Sequence, residues 1–207
     1  MLELRDVTLI CLTGVGHKVD EHVKALEYSQ KGVAFGDVRY VQMGNIKNID
    51  DWSKAIFYDL GSFVDTSHAL LIHENGFVVH PECWKDEWLQ YDFAGSPFPL
   101  PTDSFSYRDI HGTIQRVGNS VGLRSKKLLD LPKKLGLEWK SFHGFYNEDG
   151  AVSVNYRHIF EEHGCRYMPL EEAVYFGREN DVPENRHIDT TFVFHNYKGR
   201  NEKYKDL

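Results

Sequence analysis

The strongest constraint on the fold is the run Val7 to Thr13, VTLICLT, followed by Gly14 and Gly16. Seven residues without a charge, rich in β-branched side chains and closed by glycines, have no polar face to turn to water. That is the pattern of a strand buried on both faces, which parallel sheets with helices on either side provide. Val23, Ala25, Leu26 and Tyr28 then repeat at helical spacing up to Gly32, with Asp20 placed as a cap. Val38 to Met43 reads as a second strand. Asp50 and Asp51 open a helix through Ile56, Phe57 and Leu60 that Gly61 stops, and Ala69 to Ile72 is a third buried strand. Phe77 to Val79 reads as a fourth. Strand, helix, strand, helix, strand predicts an α/β protein with a mostly parallel central sheet flanked by helices.

The second half is less periodic. Pro81 to Leu89 reads as a short helix with Trp84 and Trp88 on one face. The prolines and glycine in Phe93 to Pro101 leave it a loop or an edge strand. Leu100 to Gln115 has no clear period and reads as a mobile loop. Val117 to Leu123 is a Gly-rich strand or turn, after which Ser125 caps a helix. Asp149 opens a helix running to Gly164, and Thr190 to Phe194 is a last strand. No repeat or composition break divides the 207 residues, so residues 1–207 are expected to form a single domain.

Composition narrows the function classes. A net charge of -7 argues against nucleic acid, which needs a basic patch to meet phosphates. The runs Lys126-Lys127 and Lys133-Lys134 read as solvated helix faces. The 3 cysteines form no CxxC pair, hence no zinc or redox signature, and their odd number suits a reducing compartment. The N-terminus lacks a signal-peptide pattern, and no apolar run reaches the roughly 20 residues of a transmembrane helix. These features predict a cytoplasmic protein, or a domain of a larger cytoplasmic one. No GxSxG elbow points to a hydrolase.

Two strand ends carry candidate chemistry, since ligands of open α/β sheets bind beyond the carboxyl ends of strands. Thr13 and Gly14 end the first; their bare backbone could approach a nucleotide or simply make a tight turn. His73-Glu74-Asn75-Gly76 ends the third, and these residues fit either a hairpin turn or a ligand site.

Three stretches, LLIHENGFVVHPECWKDEWLQYDFAGSPFP, VGNSVGLRSKKLL and EDGAVSVNYRHIFEEHG, resemble glycosyltransferase-like domains of the GT-A fold. YDFAGSP and LRSKK are their most specific pieces, and the likeness runs from Val7 to about His195. It implies a transferase that moves a sugar from a nucleoside-diphosphate donor to a glycan or lipid-linked acceptor, with no nucleic-acid partner. It places Glu74 and Asn75 at an acidic metal motif, with asparagine where an aspartate is usual, and implies a divalent metal, manganese or magnesium, with His195 as a further ligand. It implies donor contacts from Thr13, Gly14, His73, Asn119, Arg124 and Lys198. Glu148-Asp149 matches the Glu-Asp pair of inverting transferases, with Asp149 as the base; a helix cap is the plainer role for the same residue. The altered Asn75 and the single glycines around Asn119 also fit a second reading, a domain of this fold that binds nucleotide-sugar or glycan without turnover.

Overall fold

The computed structural model describes residues 1–140 and 147–195. Lys198 lies outside the described residues. The chain runs β1 (Leu2–Gly14), α1 (Val19–Ser29), β2 (Val33–Met43), α2 (Ile49–Tyr58), β3 (His68–Leu71), β4 (Phe93–Pro97), β5 (Val117–Ser125) and α3 (Lys126–Leu135). It continues through the single turn α4 (Glu148–Gly150), α5 (Arg157–Glu162) and α6 (Leu170–Phe176) to the short strands β6 (Gly177–Arg178) and β7 (Val193–Phe194).

Five strands form the central sheet in the order β2-β1-β3-β5-β4. β1 pairs in parallel with β2 and β3, whereas β5 runs antiparallel to both β3 and β4. Four strands therefore point the same way and β5 alone is reversed. The alternation of β1 explains its unbroken apolar run. Val7, Leu9 and Cys11 face one layer, with Ala25 and Leu26 of α1 and the rings of Trp88, Phe176 and Phe192. Ile10 and Leu12 face the other, against Ala55 and Ile56 of α2 and Leu129 of α3. Each large apolar side chain so buried contributes about 1.5–3 kcal/mol.

Helix limits follow local chemistry. Asn48 caps α2 by accepting the Asp51 N–H at 2.9 Å, and Ser125 caps α3 by accepting the Leu128 N–H at 3.0 Å. Gly136 ends α3 in the left-handed region at φ 61°. α1 begins one residue before the expected Asp20 cap, because Lys18 takes a left-handed conformation (φ 45°) and turns the chain into the helix. Asp20 instead sits in the first turn, where its charge favours the helix dipole.

Four expectations are corrected. Phe77 to Val79 does not join the sheet, because β5 occupies the place beside β3; the segment makes only an isolated bridge between Val78 and Val193. Pro81 to Leu89 is not one helix but the two 3-10 turns Pro81–Cys83 and Asp86–Gln90, with Trp84 and Trp88 packed edge to face at 5.4 Å. The helix from Asp149 to Gly164 is interrupted by a π turn at Ala151–Asn155 and restarts at Arg157. Leu100 to Gln115 is tied down: Asp103 accepts from the N–H groups of Phe105 and Ser106, and Asp109 from those of His111 and Thr113. Phe93 to Pro97 is an edge strand, where Pro97 at its end is tolerated. No helix among the described residues is long and apolar enough to cross a membrane.

β4 and β5 approach closely where their register shifts, between Ala94 and Ser96. A Cβ on Gly95 would lie 1.8 Å from the carbonyl oxygen of Gly118, and one on Gly118 would lie 1.8 Å from the Phe98 ring. Gly95→Ala must therefore separate two paired backbones. It is expected to cost more than about 3 kcal/mol, the upper end of ordinary overpacking. Urea unfolding should show a lower midpoint with an unchanged slope.

Candidate functional site

A cavity of about 710 Å³ opens at the carboxyl ends of β1 and β3. Thr13 and Gly14 reach it from β1, and His73, Glu74 and Asn75 from the end of β3. Asn119 comes from β5, Glu148 and Asp149 from α4, and His195 from just beyond β7. These candidates are scattered over more than 180 residues of sequence, and the topology gathers them because β5 runs backwards and brings its N-terminal end to the same edge. Trp52, Ile46 and Ile49, from α2 and the loop before it, form an apolar wall.

The first loop is shaped by packing. A Cβ on Gly14 would lie 2.7 Å from the Ile46 carbonyl oxygen, so the glycine is required whether or not a ligand approaches. The Trp52 indole N–H donates to the Leu12 carbonyl at 2.7 Å and locks α2 onto β1.

His73-Glu74-Asn75-Gly76 is a tight turn and a cavity wall at once. The His73 N–H donates to the Gly76 carbonyl at 2.8 Å, and the Gly76 N–H returns to the His73 carbonyl at 3.2 Å. The turn centres on Glu74 and Asn75 and needs no positive φ at either. Gly76 is fixed by close approach: a Cβ would stand 2.6 Å from Val121 and 2.9 Å from His195.

His73 is buried between the Trp52 ring, edge-on at 5.0 Å, and the His195 ring at 5.4 Å. Burial, and then the neighbouring His195, lower its pKa to about 3, so it is a neutral imidazole at physiological pH. His195 Nδ1 lies 2.9 Å from Asn119 Oδ1 and 3.3 Å from Glu179 Oε1. Two oxygen acceptors on Nδ1 require the proton there. Asn119 has φ 90°, a conformation rare outside glycine that asparagine tolerates best. Its Oδ1 also accepts the Val121 N–H at 3.2 Å, and its amide nitrogen meets Ser96 at 3.2 Å. The segment expected as a strand or glycine turn is thus a strand with one strained, hydrogen-bonded residue facing the cavity.

Arg124 does not reach the cavity surface. It sits on β5, 1% exposed, with Nη2 2.7 Å from Oε1 of the fully buried Glu148. Among the described residues, Nε and Nη1 of Arg124 and Oε2 of Glu148 meet no hydrogen-bond partner. The pair therefore joins the sheet to the turn that presents Asp149. Asp149 is partly buried and is not the cap, which falls on Asn147. Burial, with the charges of Glu148 and Glu179, raises its pKa to about 7; the Gly150 N–H and Arg124 oppose the rise. Glu179 was not anticipated. It follows β6, a strand of 2 residues too short to leave a periodic signal.

The implied divalent metal is tested by the donors present. Glu74 Oε1 lies 2.8 Å from Lys18 Nζ, and Oε2 lies 3.3 Å from His22 Nε2. His195 directs Nδ1 to Asn119 and Glu179. No group of three or more His, Cys, Asp or Glu side chains among the described residues converges as a metal site. Those contacts hold Nδ1 of His195 rather than Nε2, but Glu74 is engaged on both oxygens and Asn75 brings an amide, so this corner does not fit a divalent ion.

No protein-family model matches the chain, and no curated protein matches it. Among solved structures it is similar to a crystal structure of a glycosyltransferase involved in the glycosylation of the major capsid of PBCV-1. The TM-score is 0.56 over 91% of this chain and 92% of that one, at 14% identity. At that identity the likeness defines the fold: a GT-A-like α/β architecture.

The buried ion pair gives a direct prediction. Arg124→Met strands the Glu148 carboxylate and should cost about 3–5 kcal/mol. Adding Glu148→Leu should recover most of that loss in denaturant unfolding. A single variant as stable as the parent would show that the pair does not hold the turn.

Proposed function

We propose that this chain is a glycosyltransferase that moves a sugar from a nucleoside-diphosphate donor to a hydroxyl of a glycan or lipid-linked acceptor, with inversion. The observation that carries this reading is Asp149, a carboxylate at the wall of the cavity with a pKa of about 7. A base serves best when its pKa lies near the working pH. The GT-A-like fold, shared with a protein named as a capsid glycosyltransferase, supports the same reading.

In the proposed reaction the acceptor oxygen forms a bond to the anomeric carbon as the bond from that carbon to the diphosphate breaks. The acceptor proton passes to Asp149. Neutral His73 offers the sugar or diphosphate a hydrogen bond without adding charge, and His195, whose Nδ1 is held by Asn119 and Glu179, turns Nε2 to the ligand. Asn119 holds His195 in place. Thr13 and Gly14 lie where a nucleotide would enter, and Lys198 is proposed as a further donor contact. Arg124 acts only through Glu148, as a positioning residue beneath the base.

A second reading has its own support. Asn75 and the engaged Glu74 also suit a domain that binds nucleotide-sugar or glycan without turning it over. Diphosphate release and sugar transfer, measured across candidate donors and acceptors, separate the two. Under the transferase reading Asp149→Asn lowers kcat by about 10²–10⁴-fold. Tight nucleotide-sugar binding by the parent with no transfer, and no effect of Asp149→Asn, would favour the binding module.

The pKa of Asp149 also fixes two pH dependences. Transfer should rise as pH increases through about 7, when the base ionises. Because the folded state holds this proton more tightly than the unfolded chain, ionisation lowers stability as pH rises from 3.8 towards 7. Asp149→Asn should therefore gain midpoint relative to the parent at pH about 8 and lose that gain at pH about 4.

A further inference from the structure

We infer that the Glu74 carboxylate is closed to divalent metal by a clamp of Lys18 and His22, and that the Lys18 ammonium, exposed beside the cavity next to its lining residue His17, is the solvent-facing positive charge there for an anionic ligand. Three residues on two elements build the clamp. Glu74 stands in the turn after β3, Lys18 is the left-handed residue that starts α1, and His22 lies one turn further along that helix.

The contacts close a ring. Lys18 Nζ meets one Glu74 oxygen at 2.8 Å, His22 Nε2 meets the other at 3.3 Å, and His22 Nδ1 lies 2.7 Å from the Lys18 carbonyl. The Lys18 carbonyl and the Glu74 carboxylate are both acceptors, so both ring nitrogens of His22 carry protons and the buried ring is a second cation on Glu74. Burial alone would raise the Glu74 pKa, but hydrogen bonds from His22 and Lys18 hold it well below the usual carboxylate range. A metal entering here must displace both partners. Asn75, the neighbouring residue, supplies an amide where a carboxylate would compete for the ion.

The clamp is asymmetric towards solvent. His22 is buried, whereas the Lys18 side chain is 51% exposed beside the cavity wall formed by His17, His22 and Glu74. An anion reaching this corner meets a cation already held in place, at the N-terminal end of α1. The ligand half of the inference rests on the donor reading proposed above. The metal half depends on the clamp alone.

Manganese binding, read from the loss of the free-ion electron paramagnetic resonance signal, tests the metal half without any turnover. The full chain should leave the signal unchanged up to millimolar protein. Opening the clamp with Lys18→Gly, which also suits the left-handed backbone, and adding Asn75→Asp should create a site. Glu74, His22 and the new carboxylate would then bind the ion in the micromolar range. Micromolar binding by the parent that Glu74→Gln abolishes, or no binding by the opened variant with a native circular dichroism spectrum, would overturn the inference.

Calorimetry with uridine and guanosine diphosphate tests the ligand half. Affinity should be the same in chelator and in manganese, and should fall about ten-fold in Lys18→Gly, the loss of one charge-assisted contact. Manganese-dependent binding, or no loss in the variant, would overturn it. If neither diphosphate binds the parent under either condition, the donor reading fails while the manganese experiment still decides the clamp.

Discussion

The burial of β1 on both faces organises everything else. With a strand on each side and apolar layers above and below, Val7 to Gly14 of β1 is buried, while Glu3, Arg5 and Asp6 at its other end meet water. The loop that follows its carboxyl end opens to the cavity. Two parallel neighbours bring their own ends to the same edge, so the loops that follow β1, β2 and β3 face one another across a cavity. The chemistry of the site follows from that placement, because the polar residues denied to the core accumulate where the strands stop.

The reversed strand β5 has a separate consequence. It brings Asn119 to the cavity rim and leaves Arg124 deep between β3 and β4. The guanidinium there needs an anion, and Glu148 supplies it. One buried ion pair thus anchors the irregular turn bearing Asp149 to the rigid sheet. Breaking up a run of helix into a single turn, a π turn and a second helix lets both acidic residues face inward rather than follow a helical stripe.

Charge is divided along the cavity. Glu148, Asp149 and Glu179 gather at one part of the wall, and burial, followed by the repulsion of the other two carboxylates, weakens the acidity of Asp149. His22, with Lys18 at its side, lies at the corner where Glu74 is neutralised. Neutral His73 lies in the buried floor beside His195. The proposed donor and acceptor suit this division, with the anionic end towards Lys18 and the hydroxyl towards Asp149.

The α/β class, the buried strands and the helices α2 and α3 were legible in the sequence, because each rests on local chemistry: apolar runs, the acidic start Asp50-Asp51, Ser125 as a cap; the cap Asn48 and the end of α2 at Tyr58, before Gly61, were not. Most of the candidate site was legible too, since polar residues at the ends of buried strands must find partners. What the sequence could not determine was partnership. Asn75-Gly76 suggests a hairpin leading into a strand, but β5 holds that edge, and Arg124, which the resemblance places among the donor contacts, is buried against Glu148 by its position between two strands. Glu179 and Lys18 had no local signal, because a two-residue strand and a single left-handed lysine leave no periodicity. The engagement of Glu74 was decided only when the turn after β3 met the start of α1. Burial and pairing across the sheet are properties of distant segments, and only the tertiary structure brings those segments together.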